Sequence, residues 1–111
     1  MTPYQKSVLS FQRHCRFLIN YEYPSALGGT MEVGHHLLRR LANSDKIDDP
    51  QYIVPLTAKQ HDDIHAPNPT ISVKSLLYDE KGLCVGCVFD YHGKAFVWHN
   101  EEWVKAWKQL P

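Results

Sequence analysis

Four of the chain's seven histidines fall between Val33 and His65, as two pairs. His35 and His36 are adjacent, while His61 and His65 stand four residues apart. Imidazole offers two kinds of chemistry near neutral pH. Its neutral form ligates divalent ions such as zinc and nickel. Its ordinary pKa near ~6.5 also lets it take a proton from water. Two histidines at i and i+4 of a helix share one face, which suits two ligands of one ion. Neighbours on a strand point to opposite sides, so His35 and His36 take different roles: one ligates while the other faces a substrate. Arg39 and Arg40 follow directly, and the forked donors of arginine suit phosphate oxygens. Lys46 and Lys59 are weaker candidates for the same task.

These side chains need elements to bring them together. "TMEVGHHLL" reads as a strand entering the first pair, and "RRLANSDKIDDPQ" as a polar, turn-rich loop. "YIVPL" is a second strand whose later part Pro55 confines to an edge or an end. At "TAKQHDDIH" the pattern becomes helical: Thr57 with Gln60 three residues on matches a capping box. Asp62 and Asp63 lie toward the positive end of that helix. A hairpin folded onto the helix directs His61 and His65 toward His35 and His36. Upstream, the apolar spacing predicts a helix over about 3–20, with Thr2 as its cap and Pro3 at its first position. "EYPSALGGT" breaks it. Downstream, "SVKSLLYDEKG" reads as a short helix ending at Gly82, with a strand as the alternative. "LCVGCVFDYHGKAFVWH" reads as a hairpin about "YHGK", and "NEEWVKAWKQL" as a closing helix capped by Asn100. This last region spans about 83–109.

The pattern "HHLLRR…DDPQYIVPLTAKQHDDIH" resembles the ββα-metal motif of HNH (His-Me finger) endonucleases, and is most similar to colicin-type nuclease domains and short phage-type HNH proteins. The resemblance covers about Glu32 to His65. It implies a ββα-metal core; with the N-terminal helix and the C-terminal hairpin and helix read above, the expectation is an α+β fold, and the length alone suits one domain over 1–111. The resemblance implies that His35, His61 and His65 hold one divalent ion (Mg, Mn, Ni or Zn) and that His36 is the general base of phosphodiester hydrolysis in DNA. The family's Asn position is Tyr52 here, preceded by Gln51; Gln51, Tyr52 or Asn43 is then expected to tie the loop or support the base. The paired Cys-x-x-Cys motifs of many HNH domains are absent, as they are from colicin-type domains. An alternative is a protein that keeps the metal shell but only binds DNA, or blocks a host or phage protein.

The remaining composition sets bounds. Twelve basic residues balance 12 acidic ones, so the chain lacks the strong positive charge of many nucleic-acid binders. The charge is uneven: Met1 to Lys46 holds six basic residues against three acidic ones. Three cysteines are not a disulfide framework. With no apolar stretch near membrane-spanning length and no visible leader, the expectation is a cytoplasmic protein without a membrane partner. Cys84 and Cys87 read as buried strand residues rather than half of a zinc site completed by His92 or His99. Trp98, Trp103 and Trp107 read as core rather than as base-stacking groups. His14, His92 and His99 read as surface or satisfied histidines.

Overall fold

The computed structural model describes residues 1–40 and 42–110. Helix α1 spans Pro3–Asn20. Thr2 Oγ1 accepts from the Gln5 N–H, and Gln5 Oε1 accepts from the Thr2 N–H, so a complete capping box starts the helix. Strand β1 (Val33–His36) pairs antiparallel with β2 (Ile53–Leu56), setting His35 opposite Val54 and His36 opposite Ile53. Between them the chain makes 3-10 turns at Ser44–Lys46 and Pro50–Tyr52. Helix α2 (Ala58–Ile64) follows at once. Strands β3 (Ile71–Tyr78), β4 (Cys84–Tyr91) and β5 (Lys94–His99) form a second antiparallel sheet, and α3 (Glu101–Lys108) closes the chain.

The β1–β2 hairpin lies between two apolar clusters. Ile53 joins Cys15 and Leu18 of α1, Met31, and Trp103 and Trp107 of α3. Val54 and Leu56 turn to the other side, onto Ile71, Cys87 and Phe89 of the three-stranded sheet. Directly opposed residues of a strand pair share a face. His36 therefore lies on the α1 side with Ile53, and His35 on the opposite side with Val54. Gly34 permits this packing: a Cβ there would stand 2.8 Å from Cys15 Sγ and 3.2 Å from Phe11.

Two expectations for the last third are corrected. Residues 71–78 form a strand, not a helix. Asn100 precedes α3 but makes no side-chain cap. Its buried amide instead donates to Cys84 O at 3.0 Å and Gln51 O at 3.4 Å, joining the second sheet to the turn before β2. The β4–β5 hairpin turns at His92 and Gly93, both with positive φ (52° and 82°), as a two-residue turn of this hand requires. Trp103 and Trp107 are core residues, and Trp98 is partly buried between the clusters. No helix among the described residues is long and apolar enough to cross a membrane.

Candidate metal centre

A seven-residue helix such as α2 is too short to be stable alone, so its neighbours must hold it. At its start Thr57 and Gln60 form the reciprocal capping box. The same Gln60 side chain accepts from Ser25 Oγ at 2.6 Å and donates to Gly28 O at 2.9 Å. Glu32, at the entrance to β1, accepts from the Ala58 N–H at 3.1 Å. At the far end Asp63 accepts from the Thr70 N–H, the Thr70 hydroxyl and the Ile71 N–H, at 2.8, 2.6 and 2.9 Å. Helix α2 is thereby tied to β1 at one end and to β3 at the other.

This anchoring sets His61 and His65 against His35. The ring centroids lie 5.3 Å apart for His35 and His61, 5.4 Å for His35 and His65, and 4.6 Å for His61 and His65. One nitrogen from each ring lies within 4.8 Å of the others. Two nitrogens on one tetrahedral zinc are separated by roughly 3.3 Å, a change within reach of ring rotation. The chemistry of the donors fits as well. Burial, aided by the neighbouring histidines, pushes the His35 pKa down to about 4, and burial and His65 lower that of His61. Both imidazoles are thus neutral at physiological pH, the form that donates a lone pair. Three imidazoles placed in this way can hold a divalent ion and leave positions open for water and substrate.

His36 stands apart from this trio. Its Nε2 lies 2.9 Å from the carbonyl oxygen of Ile47. A carbonyl only accepts, so Nε2 carries the hydrogen and Nδ1 keeps its lone pair. Burial lowers the His36 pKa, the bond to Ile47 opposes that shift, and Arg40 and His61 add to it. A single cavity of about 480 Å³ is lined by His35, His36, His61 and His65 together with Arg39 and Arg40. Both arginines are exposed, and neither forms an ion pair among the described residues.

Gln51 and Tyr52 occupy different ground. The Gln51 amide donates to Cys84 O at 3.3 Å, while the Tyr52 ring lies under Lys46 Nζ (5.4 Å) with Tyr78 close to its hydroxyl. Neither side chain lines the histidine cavity. They support the loop through the backbone: Tyr52 O accepts from the Leu37 N–H at 2.8 Å, next to His36. Asn43 braces the loop itself, donating to Arg39 O at 3.0 Å. The support that His36 does receive, the Ile47 carbonyl and the ring of Phe11, was missed in the sequence. A backbone acceptor has no residue signature, and Phe11 looks like one more apolar residue of α1. Lys59 is exposed on α2 and Lys46 pairs with Asp45 at 3.7 Å. Cys84 and Cys87 are buried, and among the described residues His35, His61 and His65 are the only group close enough to share an ion. No family model, curated protein or solved structure matches the chain.

Proposed function

We propose that the chain is a metal-dependent endonuclease of the HNH type, hydrolysing phosphodiester bonds in DNA, with the β1–β2–α2 unit as a ββα-metal core. One observation carries this reading: three imidazoles converge on one point while a fourth, one residue along, lines the same cavity with Nδ1 free. His35, His61 and His65 hold one divalent ion, of the series Mg, Mn, Ni or Zn. When bound, the ion stabilises negative charge on the phosphate and on the leaving oxygen. His36 takes the proton of the attacking water at Nδ1. Arg39 and Arg40, at the mouth of the cavity, hold phosphates beside the scissile one.

The test is nicking of supercoiled plasmid with each of those four ions, in wild type and His36→Ala. General-base catalysis contributes roughly 10²- to 10⁴-fold, so His36→Ala should lose activity on that scale while still binding the metal. No nicking with any ion, or undiminished cleavage by His36→Ala, rejects the proposal. A second reading has its own support, since Tyr52 stands at the Asn position of the HNH pattern and its side chain does not line the cavity of His36. On that reading the protein binds DNA, or a host or phage protein, without turnover. Tight binding with a loaded metal site and no cleavage would select it.

A further inference from the structure

The cavity has one wall from outside the β1–β2–α2 unit and its loop, and that wall is Phe11 of α1. Its ring centroid lies 4.3 Å from that of His36, at an interplanar angle of 35°. Phe11 is itself fixed: it packs against the core cluster of α1 and α3, with the Trp107 ring centroid 6.3 Å away. The missing side chain of Gly34, two residues before His36 on the same face, lets α1 come this close.

These contacts define what can move. The imidazole of His36 has one hydrogen bond, from Nε2 to Ile47 O, and one aromatic neighbour across its face. A single hydrogen bond does not stop a histidine ring from turning about its Cβ–Cγ bond, which is a soft, broad torsion. A ring packed against its face does, because the turn would drive imidazole atoms into the phenyl ring. We propose that Phe11 is a positioning residue for His36: it holds the imidazole in the one orientation that gives Nε2–H to Ile47 and leaves Nδ1 to accept a proton. Helix α1, outside the motif that carries the histidines, would then be part of the catalytic apparatus. The catalytic half of this inference rests on the nuclease reading; the structural half does not.

Two substitutions separate packing from ring restraint. Phe11→Leu keeps apolar volume without an aromatic face, and Phe11→Tyr keeps the face. Long-range ¹H–¹⁵N spectra of the histidine side chains report the tautomer directly, and amide spectra report whether each variant is folded. In wild type and Phe11→Tyr, His36 should show a single Nε2–H tautomer, with ring protons shifted by the neighbouring aromatic. In folded Phe11→Leu those shifts should vanish and the tautomers should mix. The corresponding loss in kcat is on the order of ten- to a hundredfold, with KM and zinc affinity nearly unchanged. In a His36→Ala background, Phe11→Leu should cost nothing further. An unchanged His36 tautomer in Phe11→Leu overturns the positioning role whatever the activity. Absence of cleavage in wild type, with the tautomer effect present, overturns the nuclease reading and leaves the restraint standing.

Discussion

Acidifying the metal-free protein should destabilise it between about pH 6.5 and pH 4, and His35 sets the size of the effect. Its pKa is about 4 in the folded chain against an ordinary 6.5, and the residue is only 8% exposed, so solvent screens little of the difference. Across that interval the unfolded chain binds a proton at His35 that the folded chain refuses. Stability is therefore complete above pH 6.5 and falls as pH drops toward 4, by about 3 kcal/mol for this one group. The lowered pKa of His61 adds a contribution of the same sign. For a chain of this size the loss corresponds to a fall in Tm of roughly 10–20 °C. Urea denaturation of the metal-free protein at intervals from pH 7.5 to 4 measures it. His35→Gln, which cannot take up the proton, should show a clearly shallower dependence. Zinc at about 100 times its Kd should add ~2.7 kcal/mol at pH 7 and progressively less as the ligands protonate. Equal slopes for wild type and His35→Gln would refute the reasoning, because the proton that burial and the neighbouring histidines keep off His35 is its largest source.

Three further outcomes are expected. Gly86→Ala should prevent folding or cost several kcal/mol in urea denaturation, because its Cβ would lie 2.1 Å from the Trp98 carbonyl oxygen inside the β4–β5 ladder. Asn100→Leu should lose about 1–3 kcal/mol, since the Cys84 and Gln51 carbonyls lose a buried donor; its α3 should remain helical by circular dichroism, as Asn100 does not cap that helix. On the nuclease reading, replacing both Arg39 and Arg40 with Ala should weaken DNA binding and flatten its salt dependence, with zinc affinity in titration calorimetry unchanged.

What the sequence displayed was mostly local. The Thr57–Gln60 box and the spacing of His61 and His65 are short-range patterns, and both stand in the structure with the partners expected of them. The extent of α1 was equally plain, because Thr2 and Pro3 mark its start. Strand β3 was hidden by its own irregularity. Val73, Leu76 and Leu77 stand at helix-like intervals in the sequence, and a register shift between Val73 and Ser75 lets Val73 and Leu76 pack on the same core although they lie on a strand. Asn100 misled for another reason. Its residue type suits a cap, but a buried carbonyl 16 residues away and a partly buried one 49 residues away compete for its amide and win. The gathering of His35, His61 and His65 could be read from residue types, whereas the surroundings of His36 could not. They consist of a main-chain oxygen and a helix brought in by tertiary packing.

That main-chain oxygen has a consequence for how the protein can vary. The Ile47 carbonyl meets the imidazole because eleven positions separate it from His36, and any apolar residue that fills the buried space at position 47 would present the same group. Drift in residue identity along the connecting loop leaves the contact in place, so long as the loop keeps its path. Adding or removing one position slides a different peptide unit beneath the ring and turns the oxygen elsewhere. Across descendants of this chain, the spacing of the segment should be held more strictly than its spelling.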